Sequence, residues 1–237
     1  MPCTVVMDLR PIESKVTLAK SGVSATLQCS FAGKYTPPPK SGAKSKPENT
    51  VQIEVLITSR SGLKSLKNNI PEIEAIIASG SLLRVTGTLH RLMYQDRSNG
   101  EEIDKLRLFA FDISPSPEKS PIFSIVQMEG GVRKISDTEI YKVTERTTKG
   151  KGAEGSVLYR KATFNLFSAP AGGNDKESYL TVYVNGFNDV ADWVNHLNLK
   201  EGSHVMANGR LEATSFGPLC LVLHDLRYAT RPQTEKE

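Results

Sequence analysis

Cysteine is scarce in this sequence, and the residues that usually carry chemistry are not grouped. The three cysteines, Cys3, Cys29 and Cys220, are odd in number, far apart and without a C-x-x-C pair. That argues against a disulfide framework and against a zinc knuckle. Cys29 and Cys220 fall inside apolar strand patterns and read as small buried hydrophobes. The four histidines, His90, His196, His204 and His224, show no metal-ligand spacing. Also missing are a phosphate-cradling G-x-x-x-x-G-K-S/T, a G-x-S-x-G elbow and an H-E-x-x-H helix. Gly150, Gly152 and Gly155 approximate G-x-G-x-x-G, but they follow no βαβ pattern and are interleaved with Lys149 and Lys151, which suits a hairpin tip. The carboxylates are scattered rather than clustered as a two-metal nuclease requires. With no acid, base and nucleophile to name, the expectation is a non-enzymatic protein with no cofactor and no metal.

Long apolar runs are absent too. Nothing approaches the ~20 residues that span a bilayer. Met1 to Lys20 carries Asp8 and Glu13 and no continuous apolar stretch, so it does not read as a secretory signal. The expectation is a protein with no membrane association, not secreted, retained in the cytoplasm with the nucleoid or in an organelle interior.

What remains is ordinary globular material. The chain has 237 residues, 38% hydrophobic and 24% charged, which is too apolar for disorder throughout. This length suits two domains of about 100–120 residues each. The net charge of +4 is a mild basic bias, compatible with a polyanionic partner without requiring one.

Strand-like alternation recurs along both halves. In the first it marks Ala25 to Ala32, Val51 to Thr58, Leu82 to Leu89 and Leu106 to Ile113. In the second it marks Lys161 to Ala169, Tyr179 to Asn185, His204 to Leu211 and Leu219 to Tyr228. Each run is rich in β-branched or aromatic residues and bounded by turn formers. One helical segment interrupts each half. Pro71 to Ser79 carries Ile73, Ile76 and Ile77 on one stripe, with Pro71 suited to a first turn. Asp189 to Leu199 carries Val190, Trp193, Val194 and Leu197, with Asn188 or Asp189 as N-cap. On this pattern Trp193 is expected to pack in the core.

The halves are related by an ungapped match. Gly80-Ser81 and Gly87-Thr88-Leu89 recur as Gly202-Ser203 and Gly209-Arg210-Leu211, and an aromatic, Tyr94 or Phe216, stands seven residues after the second glycine. Five strands with a helix between the third and fourth is the arrangement of an OB barrel, so the predicted fold is all-β: two tandem OB-fold five-stranded barrels, residues 1–116 and 117–237. Gly80 and Gly202 are expected to end the helices, and Gly87 and Gly209 to permit a bulge at a barrel corner. Thr36 to Asn49, Thr147 to Gly155 and Pro170 to Ser178 read as loops on the barrels, and Ser114 to Ser120 as the domain connection.

A binder of unpaired nucleic acid needs positive charge along a groove and flat rings for the bases. Lys40, Lys44 and Lys46 share one loop and Lys149 and Lys151 another, while Arg84, Arg91 and Arg107 surround the strand pair carrying Tyr94, and Arg210 begins the strand leading to Phe216. These nine are the expected phosphate contacts. The expected stacking residues are Tyr94 and Phe216, beyond the bend glycines, with Tyr179 and Tyr183, which share a strand face. Phe109 and Phe111 share a face that is either core or exposed, whereas Phe164 and Phe167 fall on opposite faces.

The segments A-T-F-N-L-F-S-A at Ala162 to Ala169, Y-L-T-V-Y-V-N-G-F at Tyr179 to Phe187 and, above all, L-K-E-G-S-H-V-M-A-N-G-R-L at Leu199 to Leu211 resemble the bacterial-type single-stranded DNA-binding protein family. The resemblance spans roughly Val126 to Tyr228 and is looser in the first half. It implies OB barrels that wrap single strands, with two family stacking positions on Tyr179 and Phe216 and a third on Asn185. It also implies a homo-oligomer, a dimer being enough for a tandem chain to present four barrels. The chain ends T-R-P-Q-T-E-K-E, so recruitment of partners by an acidic tail is not expected. Two other readings are an OB scaffold acting through protein contacts and an RNA-binding OB protein.

Overall fold

Alternation builds the strands. In S-A-T-L-Q-C-S-F, which forms β3 (Ser24–Phe31), every second residue is buried, and its hydrogen-bonded neighbour β4 (Val51–Thr58) turns Ile53, Val55 and Ile57 to the same interior. The computed structural model describes residues 3–32, 50–58, 66–95, 100, 102–119, 123–136, 139–149, 156–168, 180–214 and 217–229. Besides β3 and β4, the first half contains β1 (Cys3–Pro11), β2 (Thr17–Leu18), α1 (Leu66–Ala78), β5 (Leu83–Gln95) and β6 (Glu102–Pro115). The second contains β7 (Ser124–Arg133), β8 (Tyr141–Lys149), β9 (Ser156–Ser168), β10 (Leu180–Phe187), α2 (Asp189–His196), β11 (His204–Thr214) and β12 (Gly217–Tyr228).

Each half closes into a ring. The first runs β1-β3-β4-β6-β5 and back to β1; the second runs β7-β9-β10-β12-β11 and back to β7. A ring of five strands cannot alternate direction all the way round, so one neighbouring pair must be parallel. Those pairs are β4–β6 and β10–β12. A parallel pair needs a long crossover, and α1 with β5, or α2 with β11, supplies it. This is the OB fold in both halves, with β2 and β8 as added strands alongside β3 and β9.

The barrels are stitched together by their first strands. β1 pairs antiparallel with β7, and Val5 stands opposite Val126. These two valines are equivalent: Val5 faces Gly87 on β5, and Val126 faces Gly209 on β11. A pseudo-two-fold axis therefore passes between them, and both are buried. The two barrel interiors form one continuous apolar cluster.

Gly87 and Gly209 act as expected. The strand register slips at each, and a Cβ there would lie 2.2 Å from the Phe109 carbonyl oxygen or 2.1 Å from that of Val222. Only a residue without a side chain lets the strands approach so closely. Gly80 follows α1 with φ of 74°, as a helix-ending glycine should. The cysteines are all free and buried.

Three local expectations are corrected. α1 begins at Leu66 and Pro71 lies inside it. Proline pre-sets a helical φ wherever it stands, so its presence marked a start that lies a turn and a half earlier; the cost is one absent backbone hydrogen bond. α2 stops at His196, with Leu197 as its C-cap, because Asn198 adopts a left-handed φ of 48°. Asparagine tolerates that conformation better than most residues with a Cβ. Gly202, at φ of 78°, therefore serves the turn before β11 and does not end the helix. Asn188 is the N-cap residue, but its side-chain oxygen accepts from the Arg160 backbone N–H rather than from the helix.

Replacing Gly87 or Gly209 with Ala should destabilise the fold by at least about 1–3 kcal/mol, as overpacking against backbone does. The matched control is Gly131→Ala, where an added Cβ meets nothing within 4 Å and the urea midpoint should hardly move.

Candidate nucleic-acid interface

The outer surface of β9 and β10 is set by the same alternation that fills the core. Ala162, Phe164 and Leu166 of β9 and Leu180, Val182 and Val184 of β10 point inward and are buried. Lys161, Thr163, Asn165 and Phe167, with Thr181, Tyr183, Asn185 and Phe187, must then point outward. The register places Phe167 opposite Thr181 and Asn165 opposite Tyr183. Arg133, at the end of β7, lies opposite Asn165, and its guanidinium sits over the Phe167 ring, 4.6 Å from the centroid. Tyr183 is 47% exposed.

This face combines rings with unneutralised charge. Neither Arg133 nor Lys161 has a carboxylate partner among the described residues. Its floor is a polar chain: the Thr163 hydroxyl donates to Asn185 Oδ1 at 3.0 Å, and Asn185 Nδ2 donates to Cys220 Sγ at 2.7 Å. Asn185 is thus buried and tied down, whereas Tyr183 is free to present a ring. Burial pushes the Cys220 thiol up to about 11, so it is a neutral acceptor in this chain.

Of the residues expected at a binding surface, Tyr183 is described and exposed. Tyr94 has its backbone in β5, paired with Ile103, and Lys149 has its backbone in β8, paired with Ser156. Their side chains lie outside the described residues, as do Phe216, Tyr179, Lys40, Lys44, Lys46 and Lys151.

The four expected arginines are all described, and each is joined to a carboxylate of its own chain. Arg84 makes a two-pronged pair with Asp8, at 2.8 and 2.9 Å. Asp8 is fully buried and its backbone N–H donates to the Phe123 carbonyl, while the Phe123 ring lies 4.5 Å beneath the Arg84 guanidinium. This cluster pins the segment entering β7 to the first barrel. Arg91 forks onto Asp104 at 2.8 and 2.6 Å, and that hydrogen bond holds the Asp104 carboxyl below its usual range. Arg210 pairs with Glu212 at 3.0 Å. Arg107 shares Glu54 with Lys105, whose Nζ lies 2.7 Å from Glu54 Oε2. Burial alone would raise the Glu54 carboxyl, but hydrogen bonds and charge from Lys105 and Arg107 outweigh it and hold the group below its ordinary value.

The open alternatives among the aromatics resolve. Phe109 and Phe111 face away from the core; Phe111 is exposed and the Phe109 ring meets His90 edge-on at 4.8 Å. Phe164 is core and Phe167 is surface. The expectation for Trp193 is overturned: it is 46% exposed. Ala191 and Val194 take the buried side of α2, and the Trp193 indole leans across the surface, donating Nε1–H to the Leu226 carbonyl at 2.7 Å. Reading sequence alone also missed Arg133 and Lys161 as site residues. The signal for Lys161 was present, since it is in phase with Phe167 on β9.

Comparison with solved structures follows from this geometry. The single-stranded DNA binding protein from Thermus aquaticus superposes with a TM-score of 0.54 at 16% identity, covering 99% of this chain and 95% of that one. A deletion variant of the same protein gives 0.51 at 16% identity over 99% and 97%. This chain shares their two-barrel fold. No protein-family description and no curated protein sequence matches it.

Arg84→Ala would leave the buried Asp8 carboxylate without its partner, and the expected loss is about 3–5 kcal/mol in urea unfolding. For Glu54, a folded pKa below the unfolded one means stability that is complete at neutral pH and lost as pH falls through the folded value. The urea-midpoint difference between the wild type and Glu54→Gln should therefore be largest near pH 7 and shrink below about pH 4, the ordinary range for glutamate.

Proposed function

We propose that this chain binds single-stranded DNA with little regard to sequence and catalyses no reaction, keeping unpaired strands available in replication, recombination or repair. The observation that carries this reading is the outer face of β9 and β10: exposed Tyr183, Phe167 under Arg133, and Lys161, on a closed barrel. Every base has a flat face and every nucleotide a phosphate, so rings beside unpaired cations suit any sequence. The relatives in fold are named as single-stranded DNA binding proteins, which favours this over a scaffold role. Tyr94, Tyr179 and Phe216, with Lys40, Lys44, Lys46, Lys149 and Lys151, are included in the proposal as further contacts. Residues 1–116 and 117–237 are taken as the two OB units.

We also take the chain to act as a dimer. Ile125 is 58% exposed and stands opposite Val6 on the outer face of the paired first strands. An apolar patch at the centre of a joined sheet is suited to a second copy. No helix among the described residues is long and apolar enough to cross a membrane, and the action proposed is in the cell or organelle interior where unpaired DNA occurs.

The test is a titration of Tyr and Trp emission with oligo-dT at several salt concentrations. Binding should weaken steeply with salt. Tyr183→Ala and Phe167→Ala should each lower affinity by ~5–150-fold, the range for loss of one stacked base, with unchanged thermal unfolding. Equal affinity for oligo-dT and oligo-U would shift the reading to single-stranded nucleic acid in general, and no binding of either at low salt would end it.

A further inference from the structure

The pseudo-symmetry allows the two barrels to be compared residue by residue. Starting from the equivalent pair Val5 and Val126, one route runs through the β1–β3 and β7–β9 registers. It matches Gln28 with Asn165 and so Glu54 with Tyr183. The opposite route runs through the bulge glycines and the parallel pairs. There Gly87 meets Ala110 and Gly209 meets Leu223, Arg107 matches Cys220, and Glu54 again falls on Tyr183. Two independent paths around the ring agree.

The face that binds in the second barrel is therefore rebuilt in the first. Tyr183 is replaced by Glu54, Phe167 by Ser30 and Lys161 by Ser24. The backbone N–H of Ile12 donates to Gln28, which puts Ile12 where the second barrel has Arg133. No ring and no unpaired cation stands at these four positions. Glu54 is only 7% exposed, and it holds Lys105 and Arg107 together while accepting from Gln28 Nε2 at 3.3 Å. A cleft of about 560 Å³ opens beside this cluster, lined by Gln28, Gln52, Glu54, Arg91, Asp104 and Lys105. Its carboxylates, Glu54 and Asp104, are each occupied with a cation that a phosphate would otherwise meet.

Resting on the binding reading above, we propose that Glu54 is an exclusion residue: it sequesters Lys105 and Arg107 in the first barrel's groove and leaves the second barrel as the primary site for the strand. A phosphate entering the first groove must break the half-buried ion pairs of Glu54 with Lys105 and Arg107, and its base finds no ring at the positions that match Tyr183 and Phe167. In the second groove Tyr183 and Phe167 supply the rings, and Arg133 and Lys161 have no carboxylate partner among the described residues.

The experiment compares full-length wild type, Glu54→Gln and Glu54→Gln/Lys105→Gln/Arg107→Gln. The probe is an oligo-dT of about 12 nucleotides, within the ~4–16 that one OB barrel covers. Wild type should take up one oligonucleotide per chain. Glu54→Gln should bind a second, and its overall salt dependence should steepen by ~0.7 for each cation freed to meet a phosphate on a single strand. The triple variant should lose that second site. Two equivalent oligonucleotides on wild type would overturn the proposal, with no variant needed. So would a Glu54→Gln protein that still unfolds in one cooperative thermal transition well above the assay temperature, yet keeps wild-type stoichiometry and salt slope. Failure of wild type to bind the probe at all would instead remove the functional reading on which the proposal rests.

Discussion

An odd ring of strands must contain one parallel contact, and much of this molecule follows from meeting that demand twice. The parallel pairs β4–β6 and β10–β12 force a crossover in each half, and the helices α1 and α2 occupy it. Closing so small a ring also requires two backbones to come within a carbonyl's reach, which Gly87 and Gly209 permit. Once closed, the ring has a single dry interior, so alternate residues on every strand are committed to it. The remaining residues are free to vary. Binding chemistry can therefore be added to or removed from the outer face of a barrel without disturbing the packing that holds it shut.

The two barrels show that freedom in use. Their interiors are built alike and merge into one cluster across the Val5–Val126 contact. Their outer faces have parted company. One displays tyrosine, phenylalanine, arginine and lysine; the other displays glutamate, two serines and isoleucine at matching positions. A buried ion pair is a poor source of net stability, because desolvation offsets most of the attraction. The Glu54 cluster holds its carboxyl below the ordinary value and so contributes at neutral pH all the same, and it also decides what its groove can offer a phosphate.

Much of the architecture was legible in the residues alone. Eight strands, both helices, the glycine bends and the duplication were all visible, because each rests on a local pattern: alternation, an apolar stripe, or a repeated spacing. β1 and β7 were missed as elements, although their pairing organises the molecule. C-T-V-V-M-D-L-R-P carries a buried acid, and S-I-V-Q-M-E-G-G-V-R carries two glycines, which blurs the period. The site was less legible. Tyr183 was found by its phase along β10, but the cations could not be sorted, since whether Arg107 is available depends on Glu54, more than fifty residues away in sequence and adjacent only through the parallel pair. Trp193 was misplaced because an indole can satisfy its N–H at the surface while lying on an otherwise apolar stripe.

The axis between Val5 and Val126 reverses the direction of whatever it relates. Peptide and nucleotide chains both have a chemical sense, and a strand running straight from one barrel to the other would meet the first groove head first and the second tail first. Two identical grooves so arranged would demand opposite polarities of one continuous ligand. A duplicated protein in which only one copy carries rings at the positions of Tyr183 and Phe167 is released from that conflict, and the matching face of the other copy is free to serve as a wall, a spacer or a dimer contact.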